Sequence, residues 1–177
     1  LKNIFAFKAG QYITIKHQSG GKELRRAYSI CSSPKSGVLK VAVKKVDKGS
    51  FSVFANNELK GGDTLQVMPP TGKFILEPNL KNYAAFAAGS GITPVLSLIK
   101  STLEEMPQST FLLVYGNKNI EETMFYNEIL ELQKQFPNRF TAEFVFSRKE
   151  EENSKFGRID RSIVNFFLKK KYVETTY

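Results

Sequence analysis

The chain contains 177 residues and has a mass of 20.0 kDa, a length that suits two domains of about 80–100 residues each. Its single cysteine and single histidine exclude an intrachain disulfide, a cysteine-based zinc site, a four-cysteine iron–sulfur cluster and a multi-histidine metal centre. The sequence has no apolar run of the roughly 20 residues that a membrane helix needs. Any difficult chemistry therefore has to come from a bound cofactor.

The net charge of +9 is concentrated in the first half of the chain. Residues 1–78 hold 13 lysines and arginines against 5 acidic residues, whereas residues 79–177 hold 13 against 12. A basic first half attracts an anionic cofactor, an acidic protein, nucleic acid or a membrane surface, and composition does not choose among them. The sequence begins at Leu1 and ends at Tyr177 without a clear start or stop signal, so we expect further sequence on both sides.

The first part of the chain carries the pattern of short strands separated by turns. Residues 12–16 and 39–44 alternate between apolar and polar side chains, which predicts strands. Glycine- and proline-rich turns separate these runs, and residues 51–59 predict one brief helix. This pattern is typical of a small antiparallel β-barrel, which we place at residues 1–78.

After residue 78 the period changes to alternating strands and helices. Thr93 is a candidate helix cap with Pro94 as the first helical residue, and Asn119 with Glu122 resembles a capping box. Asp160 is a candidate cap for a third helix. The β-α-β-α-β-α order predicts a parallel, Rossmann-like sheet within residues 79–177. Its strands are expected at residues 83–88, 111–115 and 140–146, the first of them buried on both faces.

Two glycine-containing motifs lie where strands meet helices. Gly89-Ser90-Gly91-Ile92-Thr93-Pro94 joins a predicted strand to a predicted helix, whose N-terminus offers free N–H groups to a phosphate. Gly49-Ser50-Phe51-Ser52 begins the short helix and offers two hydroxyls for a second phosphate. Each motif on its own is equally compatible with a plain structural turn or helix cap.

Two arginine-containing motifs add charge to these candidate sites. In Arg26-Ala27-Tyr28-Ser29, a strand places Arg26 and Tyr28 on one face and Ser29 on the other, which suits a flat anionic ligand. The alternative is a cross-strand tyrosine beside a surface arginine. Ser147-Arg148 follows the third buried strand, where ligands of parallel sheets bind, and could receive a ribose 2′-phosphate. The alternative there is a set of surface ion pairs with the following glutamates.

Taken in order, and with Tyr115-Gly116-Asn117 between them, these motifs resemble the ferredoxin–NADP reductase superfamily over about residues 9–160. Within it they are most similar to reductase components of oxygenases, that of phenylacetyl-CoA oxygenase in phenylacetic acid degradation among them. The resemblance implies an FAD-binding barrel followed by an NAD(P)-binding domain. It further implies that Arg26 contacts the flavin pyrophosphate, Tyr28 stacks on the isoalloxazine, and Ser29 reaches its N5 edge.

The resemblance also implies a set of cofactor-binding residues, with Tyr28 and Ser29 as the catalytic ones. Ser147 and Arg148 favour NADPH over NADH, with Arg158 nearby in sequence, and no metal ligands are expected. We expect His17 to be a surface residue at a strand end and Cys31 to be a small packed residue. The complete cofactor-binding set is Arg26, Tyr28, Ser29, Ile30, Val43, Lys44, Gly49, Ser50, Phe51, Ser52, Gly89, Ser90, Gly91, Ile92, Thr93, Pro94, Gly116, Asn117, Ser147, Arg148 and Arg158.

The implied function is electron transfer from NADPH through FAD to an iron–sulfur acceptor, a ferredoxin-like domain or oxygenase component, in the cytoplasm. Because the chain has one cysteine, a [2Fe–2S] cluster would belong to sequence beyond Tyr177. Relatives also end in a Cys-Gly-Pro motif that this chain lacks. Two alternatives remain: a flavoprotein reductase with a haem partner, and a non-catalytic basic binding module. We expect no nucleic-acid partner, since the aromatic residues do not interleave regularly with the lysines, and no membrane partner.

Overall fold

The computed structural model describes residues 4–78 and 80–174, without the side chains of residues 170–174. The chain forms two compact units, Leu1–Pro78 with Thr93–Glu104, and Asn79–Ile92 with Glu105–Tyr177. The domain limits expected at residues 1–78 and 79–177 stay a prediction, and the expectations for both chain ends lie outside the described residues. Among the described residues, no helix combines the length and apolar character that crossing a membrane requires.

The first unit contains a three-stranded antiparallel sheet. Its strands are β1 (Tyr12–Ser19), β2 (Lys22–Ser29) and β3 (Gln66–Val67), in the order β2-β1-β3. Gly20 and Gly21 have φ angles of 56° and 73°, which a two-residue hairpin turn between β1 and β2 requires. The predicted brief helix is present as α1 (Ser50–Asn57), and a short 3₁₀ helix covers Pro34–Ser36. The core of this unit is built from Ile13, Ile15, Ile30 and Phe51.

The strand predicted at residues 39–44 is wrong, because this segment makes only an isolated bridge between Val41 and Ile30. One backbone bond of this segment belongs to the bridge, and another is made to a side chain. The Lys40 carbonyl accepts from the Cys31 N–H at 2.8 Å, and the Val43 carbonyl accepts from Asn56 Nδ2 at 3.1 Å. Alternating side chains predict a strand only where a neighbouring strand is available to pair with it.

His17 lies near the end of β1, as expected, and is half-buried. On β1 it shares the inward face with Ile13 and Ile15, since alternate residues of a strand point the same way. Its ring stacks on Phe54 with a centroid distance of 4.4 Å. Cys31 is buried, as expected, and its thiol donates to the Lys40 carbonyl at 3.4 Å.

The second unit contains a four-stranded parallel sheet, which confirms the predicted Rossmann-like arrangement. Its strands are β4 (Asn82–Ala88), β5 (Thr110–Asn117), β6 (Phe140–Phe146) and β7 (Lys155–Phe156), in the order β4-β5-β6-β7. Its helices are α3 (Tyr126–Gln135) and α4 (Arg161–Glu174). The helix that follows β4 in the chain is α2 (Ile92–Glu105), of which Thr93–Glu104 belongs to the first unit. Buried side chains of Leu112, Val114, Val145 and Phe167 form a core cluster of the second unit.

The predicted helix starts are right in one case and wrong in two. Asp160 Oδ1 accepts the Ile163 N–H at 2.9 Å and caps α4 as expected. Thr93 is not a cap, because a 3₁₀ turn at Gly89–Gly91 leads directly into α2. Pro94 is tolerated in the first turn of α2 because the N–H groups of a first turn have no intrahelical partner, so the N–H that proline lacks is not missed.

The helix predicted from Asn119 begins later, at Tyr126. Asn119 Oδ1 accepts the Glu122 N–H at 2.9 Å, but this bond closes a local turn. Phe125, with a φ angle of 61°, separates that turn from α3. The first parallel strand also differs from expectation, because β4 is an edge of the described sheet and Ala84 and Ala88 are exposed.

Candidate functional site

The end of β2 presents the predicted flavin motif on one face of the sheet. The antiparallel register places Tyr28 opposite Ile13 and Arg26 opposite Ile15, so both side chains leave the strand on the core side. The Tyr28 ring is half-buried and lies 5.4 Å from the Phe51 ring. Burial raises the pKa of the Tyr28 hydroxyl, against the opposing effect of the Arg26 charge. This hydroxyl therefore keeps its proton at neutral pH, and the ring offers a flat neutral face.

Arg26 itself is exposed, and its Nη1 donates to the Arg25 carbonyl at 2.9 Å. Such a contact orients the guanidinium at low cost and leaves further N–H donors for an anion. Ser29 ends β2 opposite Tyr12, on the other face of the strand from Tyr28. The side chain of Ile30 is fully buried in the core, so a contact between this residue and a cofactor has to come from its main chain.

The segment at Val43 and Lys44 lies beyond the isolated bridge. Val43 is half-buried against the core of the first unit, whereas Lys44 is exposed.

The Gly49–Ser52 motif divides into one exposed hydroxyl and two structural side chains. A Cβ at Gly49 would collide with Ser52 Oγ, so this position requires glycine. Ser52 is buried and its Oγ accepts the Val46 N–H at 3.2 Å, while Phe51 belongs to the core. Ser50 is exposed at the start of α1. The structure thus leaves the Ser50 hydroxyl and the first N–H groups of the helix for a phosphate.

The turn between β4 and α2 has open space in front of its backbone. A Cβ built on Gly89 or Gly91 would meet no described atom within 4 Å, and Gly89 has a φ angle of 50°. Ser90 and Gly91 are exposed, whereas the side chains of Ile92 and Thr93 are buried. This exposed backbone at the start of a helix fits the close approach of a pyrophosphate. Pro94, in the first turn of α2, is half-buried.

Neighbouring strands of the parallel sheet bring the other predicted nucleotide residues together. The Ser147 N–H and Oγ both donate to the Asn117 carbonyl, at 3.0 and 3.3 Å, which ties the end of β6 to the end of β5. Asn117 Nδ2 is buried without a hydrogen-bond partner among the described residues. Because a buried orphan donor costs about 1–3 kcal/mol, this amide fits a place where a ligand completes the site.

The basic groups expected near a 2′-phosphate lie at this same edge of the sheet. The Arg148 N–H donates to the Lys118 carbonyl at 3.0 Å, and its side chain is exposed. Arg158 follows β7 and is also exposed. Gly116 packs against Ile159, and a Cβ added at Gly116 would lie only 3.2 Å from Ile159 Cδ1. These residues follow neighbouring strands, and the carboxyl ends of parallel strands share one edge of the sheet.

The acidic loop after β6 forms its ion pairs through Lys149. Lys149 Nζ lies 2.9 Å from Glu151 Oε1 and 3.7 Å from Glu121 Oε1. These two carboxylates raise the pKa of the Lys149 ammonium, the hydrogen bond to Glu151 most of all. Lys149 therefore makes the surface pairing that the sequence offered as the alternative role of Arg148.

Sequence reasoning assigned no role to four polar residues that support these sites. Ser97 Oγ donates to the Ser32 carbonyl at 2.6 Å, Lys100 Nζ to the Cys31 carbonyl at 3.3 Å, and Glu104 Oε2 accepts from Ser33 Oγ at 2.6 Å. These three residues of α2 share one helical face and bind the segment that follows Ser29. Polar residues at helical spacing in an otherwise apolar helix were the available signal.

The fourth residue is Tyr115, which the sequence offered only as part of the Tyr115-Gly116-Asn117 motif. It is fully buried in β5, and its hydroxyl donates to the Gly89 carbonyl at 2.8 Å. Its place in an unbroken apolar run gave no sign of this contact.

Comparison with known proteins identifies the class to which this fold and these sites belong. Residues 2–75 match the oxidoreductase FAD-binding domain, and residues 86–176 match the oxidoreductase NAD-binding domain. The chain belongs to the ferredoxin–NADP reductase family of FAD- and NAD-binding oxidoreductases.

Among its relatives is a subunit of the 1,2-phenylacetyl-CoA epoxidase of Escherichia coli (strain K12). The two are 39% identical over 95% of this chain and 51% of the relative. A flavohemoprotein of Candida albicans is 35% identical over 82% of this chain and 37% of its own. Ferredoxin-NADP+ reductase from Plasmodium falciparum shares the fold, with a TM-score of 0.79, 24% identity, and coverage of 99% of this chain and 73% of that one. The chain thus spans about half or less of the length of these two curated relatives.

These findings confirm the predicted fold, the oxidoreductase class and the FAD and nicotinamide nucleotide cofactors. The alternative of a non-catalytic basic binding module is therefore set aside. The roles of the individual site residues stay predictions.

Proposed function

We propose that the chain is the reductase part of an oxygenase system, acting in the cytoplasm. It takes electrons from NADPH and passes them through FAD to an iron–sulfur acceptor, either a ferredoxin-like domain or the oxygenase component. The observation that carries this proposal is the 39% identity to a subunit of an epoxidase over 95% of the chain. By the same likeness, phenylacetyl-CoA oxygenation in phenylacetic acid degradation is the proposed pathway.

In this proposal the end of β2 holds the flavin. Bound FAD supplies the conversion between hydride transfer and single-electron transfer. The exposed Arg26 guanidinium binds the pyrophosphate, since a planar cation with several donors suits it. The half-buried Tyr28 ring stacks on the flavin, and the Ser29 hydroxyl hydrogen-bonds its N5 edge. The Ser50 hydroxyl and the start of α1 bind a phosphate of the same cofactor.

The carboxyl edge of the parallel sheet holds the nicotinamide nucleotide. The open backbone at Gly89 and Gly91 receives the pyrophosphate, and the buried Asn117 Nδ2 donates to the ligand. The exposed guanidinium groups of Arg148 and Arg158 bind the 2′-phosphate, which gives the preference for NADPH.

The acceptor is proposed to be an acidic protein or domain. The excess of 13 basic over 5 acidic residues in residues 1–78 supports this assignment, because opposite charge raises association rates at low salt. The chain's only cysteine is buried and bonded to the Lys40 carbonyl, so an iron–sulfur cluster would be carried by other sequence, beyond Tyr177 or on a separate component.

The test is a visible spectrum of the full-length protein followed by anaerobic addition of NADPH. We expect flavin absorbance that NADPH bleaches, and then reduction of an added ferredoxin-like iron–sulfur protein. A protein that binds no flavin, or whose flavin NADPH does not reduce, would contradict the proposal.

A haem acceptor is the second candidate, and the likeness to a flavohemoprotein favours it. It predicts that the reduced protein transfers electrons to a haem protein faster than to the iron–sulfur protein. Parallel assays with both acceptors therefore separate the two candidates.

A further inference from the structure

The hydroxyl of Tyr115 ties strand β5 to the glycine turn at the carboxyl edge of the parallel sheet. It donates to the Gly89 carbonyl at 2.8 Å. This contact lies in the turn between β4 and α2. One side chain of β5 thus holds the open glycine turn through a tertiary hydrogen bond.

The position of this hydroxyl follows from the sheet. Parallel pairing places Tyr115 beside Ala87, two residues before Gly89. Its side chain is fully buried, and its ring lies 6.3 Å from that of Phe144, which in turn packs 4.9 Å from Tyr126. Because the ring is enclosed in the core, the direction of its hydroxyl is set by packing.

The hydroxyl is a permanent donor at physiological pH. Burial raises the pKa of Tyr115 to about 12, against smaller opposing effects of the Asn117 side chain and the Met124 main chain. The Gly89 carbonyl is therefore bound to a protonated hydroxyl at every pH at which the protein works.

The glycine turn gains a support from this bond that its own side chains do not give. A Cβ at Gly89 or Gly91 would touch no described atom within 4 Å, so the turn is not held by packing at these positions. Gly89 has a φ angle of 50°, in the left-handed region that glycine enters freely. Inside the turn the Gly89 carbonyl accepts the Ile92 N–H, which is a local contact, whereas the Tyr115 hydroxyl joins the same carbonyl to the neighbouring strand.

We infer that Tyr115 is a positioning residue for the dinucleotide: its hydroxyl fixes the Gly89–Gly91 turn so that the turn's N–H groups face the pyrophosphate. Asn117, two residues further along β5, lies at the same carboxyl edge of the sheet. The inference rests on the proposed nucleotide site and assigns a role to a residue that touches no ligand itself.

The test removes only the hydroxyl, in Tyr115→Phe, and uses Tyr83→Phe as the matched control. Tyr83 is also buried in this sheet, and its hydroxyl accepts the Leu80 N–H at 3.2 Å and donates to Met106 Sδ at 3.5 Å. It lies near the opposite, amino end of the strands. Each variant loses the hydrogen bonds of one buried hydroxyl, but only Tyr115→Phe removes a bond to the glycine turn.

Titration calorimetry on the FAD-loaded protein then measures NADP+ and adenosine 2′-monophosphate, which has the 2′-phosphate but no pyrophosphate. We expect Tyr115→Phe to weaken NADP+ binding about three- to ten-fold, as the loss of one hydrogen bond allows, and to leave the monophosphate unchanged. Hydrogen exchange of the amides of residues 89–92, without nucleotide, should become faster in this variant alone. Tyr83→Phe should match the unmodified protein in all three measurements.

Equal nucleotide affinities and equal exchange in the two variants would overturn the inference, as would an equal loss for both ligands. If the unmodified protein bound neither NADP+ nor NAD+, the proposed function would fail, while the exchange data would still decide whether Tyr115 holds the turn. If Tyr115→Phe did not fold, Gly89→Ala would perturb the same turn, since its Cβ has space but its φ angle is strained. Unchanged NADP+ affinity in that variant would equally overturn the inference.

Discussion

The proposed choice of NADPH over NADH depends on Arg148, and Arg148→Ala tests it directly. The residue's main chain is held at the end of β6 by the 3.0 Å bond from its N–H to the Lys118 carbonyl. Its guanidinium is exposed, so its removal leaves the sheet edge intact. Lys149→Ala is the matched control, because it removes one positive charge from the next residue, whose ammonium is paired with Glu151 and Glu121.

The expected magnitude follows from the exposure of Arg148. A hydrogen bond to a charged group contributes about 1.5–3 kcal/mol, and solvent around an exposed side chain favours the lower end. A loss of about 1.4 kcal/mol corresponds to a factor of ten. Arg148→Ala should therefore raise the KM for NADPH about ten-fold, with little change in the KM for NADH.

The assay compares steady-state reduction of a small neutral acceptor by each nucleotide in the unmodified protein and in both variants. The ratio of kcat/KM for NADPH to that for NADH should fall about ten-fold in Arg148→Ala and hold in Lys149→Ala. An equal loss for both nucleotides would refute the 2′-phosphate contact. An equal fall in both variants would show that only the general positive field matters.

Three further predictions concern the flavin, the acceptor and stability. Arg26→Ala should lower the affinity for FAD, measured by flavin release. The control variant Arg25→Ala, which removes an exposed partner of Glu23, should keep the affinity. Unchanged FAD affinity in Arg26→Ala would refute the pyrophosphate contact. The rate at which an acidic ferredoxin-like acceptor is reduced should fall between 0.01 and 0.1 M salt, because the Debye length falls from about 30 to 10 Å. The rate for a neutral acceptor should not change. Equal salt responses of the two rates would show that the charge asymmetry does not steer the acceptor. The raised pKa of Tyr115, about 12 in the fold, means that the unfolded chain loses this proton first. This difference in pKa contributes at most about 2.7 kcal/mol to the free energy of unfolding. The contribution is complete below pH 10 and is lost as the pH rises from 10 to 12. In chemical unfolding, the free energy of unfolding should fall less steeply over this pH range in Tyr115→Phe than in Tyr83→Phe. Identical slopes of free energy against pH would refute the assignment.

Local sequence patterns predicted the elements whose stability depends on near neighbours. Asp160 caps α4 through the N–H three residues ahead, a contact that the local chain geometry alone permits. Residues 140–146 form β6 with the predicted bounds, because their aromatic and β-branched residues favour an extended strand. The placement of Tyr28 and Arg26 on one face of β2 likewise follows from the two-residue period of a strand.

Patterns that depend on a distant partner were not predictable in this way. Residues 39–44 alternate like a strand, but whether they join a ladder depends on the chain beside them, and here one bridge forms. Asn119 makes its predicted bond to Glu122, yet a turn and not a helix follows, because Phe125 takes a positive φ angle of 61° before α3 begins. The partial burial of His17 was likewise not predictable, because α1 places Phe54 against its ring.

The sequence by itself therefore determined the class of this protein: an antiparallel unit, a parallel unit, and ordered motifs for a flavin and a nicotinamide nucleotide. The tertiary structure decided which side chains support those motifs. Ser33 and Glu104 are 71 positions apart and Gly89 and Tyr115 are 26 apart, yet each pair shares one hydrogen bond. Local patterns reflect backbone dihedral preferences and nearest-neighbour contacts, whereas a buried polar group takes the partner that the completed fold brings within about 3 Å.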